Sequence, residues 1–339
     1  MKRVGQLFQL IANQASLMAA YESARNGKRN HRACFQFSRY LGTNLSDLER
    51  ELLDGSYRPH DCNRFWVNDG RKPRLIEAPA FRDLVVQHAA YAAVGPLFER
   101  RYIDTSFACR KGKGTHQAAD WMQRAIQRAP RTAWVLHVDV RKFFYSIDRA
   151  VLAALVRRVI KCPRTLTLLD QFMHREAPTG IPIGNLLSQT YANVYLNSLD
   201  HFCKRHLGVS DYGRYMDDSI MIAPDRETGE HWLAAIRLHL AILGLEISHY
   251  SLHPIKRGAN FVGFRTWARA RFVRPHVISA FRQDARRGNL AGVISRLGHA
   301  RRTASIKSLL THLKGHHAEL YRSLPKSLRL LDHLPAAAT

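Results

Sequence analysis

The chain has 339 residues, enough for about two domains, and at 46% hydrophobic content it is not a disordered chain. Lysine and arginine outnumber aspartate and glutamate by 52 to 27, a formal charge of +25, so the partner to expect is a polyanion. No apolar run approaches the roughly 18 residues of a membrane span, which leaves nucleic acid as the expected partner, with no membrane and a cytoplasmic location.

Five cysteines, Cys34, Cys62, Cys109, Cys162 and Cys203, are scattered and never fall in a Cys-x-x-Cys pair. That pattern argues against a zinc site or disulfide framework and suits a reducing compartment. The start, Met1-Lys2-Arg3, has the charge of a signal peptide, but Gln6, Gln9, Asn13 and Gln14 break the apolar region behind it. Leu7, Leu10, Ile11, Leu17 and Met18 instead mark one face of a helix, so no targeting segment is expected. Residues 1 to about 52 read as a helical region. Up to residue 40 its only acid is Glu22, against Lys2, Arg3, Arg25, Lys28, Arg29, Arg32 and Arg39. A solvated helix face and a phosphate-contacting face both fit that charge.

Asp54-Gly55-Ser56-Tyr57-Arg58-Pro59 is rich in turn residues. Phe65-Trp66-Val67 and Arg74-Leu75-Ile76 follow as the arms of a hairpin around Asp69-Gly70, with Lys72 and Arg74 on the second arm. A helix is predicted from about Arg82 to Phe98. The loop Arg110-Lys111-Gly112-Lys113-Gly114-Thr115-His116 leads into another helix near Gln117. Its cations and glycines suit either a phosphate cradle or a basic surface loop, and it lacks the Walker spacing.

Ala133 to Val140 reads as a buried strand ending at Asp139. An acid there is costly unless it is paired or ligates a metal. Asp148 is predicted to cap a helix running to Ile160. Gly180-Ile181-Pro182-Ile183-Gly184-Asn185-Leu186-Leu187-Ser188-Gln189 is a loop opening a long helix, and its glycines imply close backbone approach. Tyr215-Met216-Asp217-Asp218 then sits before Ser219-Ile220-Met221 as a hairpin, with Asp217 and Asp218 expected in the turn. Adjacent carboxylates repel; a bare pair reads first as a solvated turn, and otherwise as a site where a divalent cation with hard oxygen ligands removes that cost. A helix from His231 to Leu243 and a strand-like Leu245-Glu246-Ile247 lead to Phe261-Val262-Gly263-Phe264. Residues 256–339 carry 17 Lys and Arg against three acids, in a largely helical pattern.

This order resembles the reverse transcriptase family from about Gly55 onward. Tyr-Met-Asp-Asp is specific in that order, where a viral RNA-dependent RNA polymerase would more usually show Gly-Asp-Asp. Most members carry Gln-Gly-x-x-x-Ser-Pro in the glycine loop. Here Ile183 precedes Gly184 and Gln189 follows Ser188, which resembles the reverse transcriptases of diversity-generating retroelements, as do the Arg110–His116 loop and the compact length. Retron, group II-intron-like and defence-associated enzymes are the alternatives within the family. The chain has no Val-Thr-Gly of the retron type, and with the sequence ending at residue 339 no maturase or endonuclease domain is expected. A non-catalytic RNA-binding protein of polymerase fold is the alternative outside catalysis. It would be expected to lose Asp139 or Asp217, and both are present.

The resemblance implies an α+β right-hand polymerase with a catalytic antiparallel palm sheet. The expected divisions are a helical N-terminus over 1–52, fingers over 53–130, a palm over 131–270 to whose fingers side part of 150–185 contributes, and a helical thumb over 271–339. Asp139 and Asp217 would bridge two Mg²⁺ ions about 3.5–4 Å apart, with the Val140 carbonyl and Asp218 as further ligands and Mn²⁺ as the other suitable ion. Lys72, Arg74, Phe143, Phe144, Ile183, Gly184 and Gln189 would meet the incoming dNTP. Phe144 is placed as the steric gate against a 2′-hydroxyl, though a core phenylalanine reads the same way. Phe261, Val262, Gly263 and Phe264 resemble the primer grip. The general acid stays open between His249 and Lys256, neither well placed by sequence. Expected partners are a template-repeat RNA, its RNA–DNA duplex, dNTPs and a small basic helical accessory variability protein, in a bacterial or phage-encoded system that copies with errors opposite adenine.

Overall fold

The computed structural model describes residues 3–68, 73–173 and 178–333. Helices α1 (Gln14–Arg25), α2 (Arg32–Arg39) and α3 (Leu41–Asp54) precede a hairpin of β1 (Asn63–Asn68) and β2 (Pro73–Ala78). Helices α4 (Phe81–Glu99) and α5 (Thr115–Arg128) lead to β3 (Trp134–Val140). Then come α6 (Phe143–Ser146), α7 (Arg149–Arg157), α8 (Pro163–Gln171) and α9 (Leu186–His201). Strands β4 (Tyr212–Tyr215) and β5 (Asp218–Ala223) are followed by α10 (Arg226–Ile242) and β6 (Ile247–Pro254). Short strands β7 (Ala259–Phe261), β8 (Phe264–Thr266) and β9 (Arg271–Val273) precede α11 (Pro275–Arg286), α12 (Leu290–Ala300), α13 (Ser305–His316), α14 (Ala318–Arg322) and α15 (Lys326–Arg329).

The chain divides into two compact units. One comprises Met1–Asp104, Val140–Phe202 and Ile236–Ser248; the other comprises Thr105–Asp139, Cys203–Ala235 and His249–Thr339.

In the first unit, helices dominate. Asn13 caps α1 by accepting from the Ser16 amide, so the apolar residues of the first 18 do not share one continuous helix face, as their spacing had suggested. Leu10 and Met18 are exposed instead. Asp148 caps α7 as expected, its carboxylate accepting from the Ala150 and Val151 amides at 2.8 and 3.0 Å. Strands β1 and β2 pair antiparallel in the predicted hairpin, with Phe65 opposite Ile76.

In the second unit, four strands run in the order β4-β5-β3-β6. Both β3 and β4 pair antiparallel with β5. After Asp218 every residue of β5 is buried, so Ile220, Met221 and Ile222 form a continuous apolar run in a sheet covered on both faces. Val135, Ile220 and Ile222 pack with Phe107, Met122, Ile255 and Phe261. A three-stranded antiparallel sheet, β7-β8-β9, follows. Its Phe264 and Val273 join Phe281, Leu297, Leu309, Leu310, Leu313 and Leu324 in a second core, so the leucine spacing of the C-terminal stretch marks the buried faces of its helices. No described helix is long and apolar enough to cross a membrane.

Candidate active site

Three strands of the second unit bring the predicted carboxylates together. Asp139, on β3, and Asp218, the first residue of β5, are Cα partners across the ladder, and Asp218 is in turn opposite Tyr215 on β4. The turn of the hairpin is Met216-Asp217. This corrects the expectation that Asp217 and Asp218 share the turn: Asp218 already belongs to the strand. Met216 has φ +59°, a left-handed conformation uncommon for a side chain of its size.

Behind the turn, Arg214 is wholly buried. Its Nη1 donates to the Met216 carbonyl at 2.8 Å and its Nη2 to Ser106 Oγ at 3.3 Å. The Arg214 backbone is bonded on both sides to the preceding loop: its amide donates to Thr105 O at 3.0 Å, and Phe107 N donates to its carbonyl at 2.9 Å. The basic loop at 110–116 is anchored to the same segment, since Arg110 Nη1 donates to Ser106 O at 2.6 Å.

His137 lies two residues before Asp139 and so shares its face of the strand. Its Nε2 is in ion-pair contact with Asp218 Oδ1. Burial alone would depress the imidazolium. The hydrogen bond and charge of Asp218, with the charge of Asp139, outweigh burial and the opposing Arg274 and hold His137 above its ordinary range. Neither His137 nor Arg214 was singled out from sequence. The alternation of β3 was the available signal for His137; nothing local marks Arg214.

Asp139 and Asp217 offer hard carboxylate oxygens, a donor set that suits Mg²⁺ or Mn²⁺. Among the described residues no three His, Cys, Asp or Glu side chains form a metal-holding cluster. Mg²⁺ that carries substrate phosphate is commonly held by only one or two protein carboxylates, so the donor set fits such an ion. Val140 is the last residue of β3 and is buried.

The predicted primer-grip residues form the β7–β8 hairpin. Phe261 and Phe264 are its closing pair, and Val262 and Gly263 turn it with φ +46° and +87°. Two consecutive positive φ values match the turn that suits strand twist. A Cβ at residue 263 would stand 2.9 Å from His299 Nε2, so a side chain there would meet the imidazole as well as an unfavourable backbone angle. His299 stacks on Phe264 with ring centroids 4.2 Å apart. His249 and Lys256 are both exposed.

The residues predicted to meet the nucleotide lie in the first unit, except Lys72, which falls outside the described residues. Arg74 is exposed on β2, paired with Val67. Phe143 is buried against Tyr195, while Phe144 is only half-buried. The glycine loop is bound to both neighbours. Ile181 N donates to Phe144 O at 2.9 Å, and Glu77 N donates to Ile183 O at 2.6 Å. Gly184 has φ +111°, and a Cβ there would meet Ile76 Cγ2 at 2.8 Å. Gln87 closes the loop, donating to Asn185 Oδ1 at 2.7 Å and accepting from Leu186 N at 3.0 Å. Gln189 is exposed on α9.

A carboxylate at the end of one strand beside an acidic hairpin, in an antiparallel sheet with helices, is the palm of a right-hand polymerase. Residues 68–266 match the family described as Reverse transcriptase (RNA-dependent DNA polymerase), and the chain belongs to that family. It is 29% identical to Protein YkfC of Escherichia coli K12 over 57% of this chain and 54% of that protein. It is 27% identical to the Group II intron-encoded protein LtrA of Lactococcus lactis over 47% of this chain and 28% of that protein. The chain thus spans about half, or less, of these relatives' lengths. The fold also matches a structure of Candida albicans telomerase in complex with a fragment of telomeric RNA. The TM-score is 0.50 at 11% identity, over 78% of this chain and 55% of that one.

Proposed function

We propose that this protein copies an RNA template into DNA, with Asp139 and Asp217 as the carboxylates of nucleotidyl transfer. The observation that carries the reading is the pairing of Asp139 with Asp218 across β3 and β5, with Asp217 in the adjoining turn. When bound, two divalent cations lower the pKa of the primer 3′-hydroxyl and neutralise charge on the triphosphate. Asp139 and Asp217 would hold those ions, with the Val140 carbonyl as a further donor. Asp218 supports the site less directly, because its carboxylate is turned to His137. Lys72 and Arg74 contact the triphosphate, and Phe144 excludes the ribose 2′-hydroxyl. Phe261–Phe264 and the basic helices beyond them hold the primer–template backbone. Fingers over 53–130, palm over 131–270 and thumb over 271–339 remain our divisions. Primer extension on an RNA template tests the reading. Wild type extends with dNTPs and Mg²⁺, and Asp217→Ala or Asp139→Ala binds RNA but does not extend; substantial extension by either variant removes the assignment.

Within the family, Ile183 before Gly184 and Gln189 after Ser188 favour a diversity-generating retroelement. The template is then a repeat RNA, copied with errors opposite adenine, and a small basic accessory protein assists. The similarity to a group II intron-encoded protein favours a second reading, an intron-like enzyme. Sequencing cDNA made from the native RNA separates them: errors concentrated at template adenines support the first, and a uniform low error rate the second.

A further inference from the structure

A cavity of about 610 Å³ opens between α2, α3 and the start of α4. Phe37, Leu48 and Phe81 line its apolar part, the two rings packed edge to face with centroids 5.4 Å apart. Gln36, Arg39, Tyr40 and Asn44 supply polar groups around it. Tyr40 is 60% exposed, and the Arg39 guanidinium lies over its ring, 5.5 Å from the centroid. Such a ring contributes little to the core and presents a face to solvent. Asn44 Nδ2 donates to Phe37 O at 2.9 Å, leaving the amide oxygen with accepting capacity.

The carboxylates lining the cavity are already matched by cations. Glu51 contacts Arg82, and Asp47 pairs with Arg50 at 3.2 Å. From Ser23 to Ser46 the chain carries Arg25, Lys28, Arg29, Arg32 and Arg39 and no acid, and residues 26–33 are all exposed. An aromatic cavity beside an acid-free basic stretch is the combination that binds single-stranded nucleic acid: cations follow the phosphates and rings stack bases. A basic protein would be repelled by the same stretch. The volume falls within the roughly 300–1,000 Å³ of ordinary ligand pockets.

We propose that this cavity receives an unpaired base of single-stranded RNA. Tyr40 supplies the stacking face, Gln36 and Asn44 meet the base edge, and Arg39 with the neighbouring cations contacts the flanking phosphates. The site rests on the reading that the protein binds RNA, and adds to it a contact outside the polymerase carboxylates.

The test uses the full chain and a single-stranded RNA 12-mer containing 4-thiouridine. Near-ultraviolet crosslinking is followed by mass spectrometry of the peptides, and affinity is measured in parallel for wild type, Tyr40→Ala and Tyr40→Phe. We expect crosslinks within residues 33–48. Tyr40→Ala should weaken single-strand binding about fivefold or more, while Tyr40→Phe stays near wild type and both keep the wild-type melting temperature. Crosslinks confined to other segments, an unchanged affinity for Tyr40→Ala, or competition by polyglutamate as effective as by RNA would each overturn the proposal. Primer extension by wild type separates the two ideas. Extension without these crosslinks sinks the cavity alone, and no RNA binding at all sinks both.

Discussion

Arg214 donates to the carbonyl oxygen of Met216 from within the protein, 2.8 Å away and two residues along the chain. The guanidinium is wholly buried, yet one of its bonds is to the turn that carries Asp217. Met216 holds φ +59°, a conformation that costs of order 1–3 kcal/mol and persists only when its surroundings impose it. The guanidinium, also bonded to Ser106, is part of those surroundings.

Arg214→Lys keeps the charge and loses the planar fork. A lost charge-assisted bond of about 1.5–3 kcal/mol, if felt at the turn, lowers kcat about tenfold or more. The KM for dNTP should stay within about threefold, because the fork touches the turn and not the nucleotide. Single-turnover extension measures the split. Equal losses in binding and rate would mean that the lysine variant has disturbed more than the turn.

The two hairpin aspartates are expected to differ. Asp218 is in contact with His137, while Asp217 sits in the turn. Asp217→Asn should abolish extension. Asp218→Asn should leave it measurable, at least about tenfold above the Asp217 variant, a difference of roughly 1.4 kcal/mol in the barrier. Primer extension under identical Mg²⁺ reads both. Equal inactivity would show that Asp218 is as directly engaged as Asp217.

The carboxylates were legible in the sequence because each breaks a local rule. Asp139 sits one residue before the end of an apolar strand, and Asp217-Asp218 places like charges side by side. The β-hairpins and the Asp148 cap were legible from turn and capping chemistry. The exact turn was not, because Met216 takes a positive φ that its side chain disfavours, and Asp218 therefore enters the strand one residue early. Arg214 was illegible for another reason: its importance comes from Ser106 and the Thr105–Phe107 backbone, more than a hundred residues upstream. The break between Leu10 and α1 was hidden by apolar spacing that continues past the Asn13 cap.

Charge makes a separate prediction. With a formal charge of +25, RNA binding should weaken steeply with salt. On a single strand the log–log slope is roughly −0.7 per phosphate contacted. A titration from low to moderate salt gives the number of contacts directly. A flat response would mean that the cations do not track the backbone.

Phe144 and Phe143 separate by burial. Phe143 packs against Tyr195 and is buried, whereas Phe144 is half-buried and its carbonyl accepts from Ile181 in the glycine loop. Phe144→Ala should therefore raise rNTP use relative to dNTP, about tenfold or more if the ring excludes the 2′-hydroxyl sterically. Phe143→Ala should instead lower stability, by about 3–5 kcal/mol for a core phenylalanine. Incorporation ratios and thermal melts distinguish them. An unchanged ratio for Phe144→Ala would make that ring packing only.

Ile183 is the position where fidelity is expected to respond. Its carbonyl is fixed by the Glu77 amide at 2.6 Å, and Gly184 behind it admits no side chain against Ile76. The backbone is thus held, while the Ile183 side chain is half-buried and can neither donate nor accept a hydrogen bond. Most of the family resembled here carry glutamine at this place. A neutral hydrogen bond is worth about 0.5–1.5 kcal/mol, or roughly two- to tenfold in discrimination if it forms only with the correct pair. Ile183→Gln should therefore lower misincorporation by that factor while extension continues; that the effect falls opposite template adenine follows from the proposed retroelement reading alone. The backbone clamp predicts that the substitution leaves the melting temperature within a few degrees, since the loop is tied through Glu77 and Gln87 and not through the isoleucine side chain. Products of both enzymes on one RNA are sequenced and errors counted at each template base. The same adenine error rate in both would remove Ile183 from the control of fidelity.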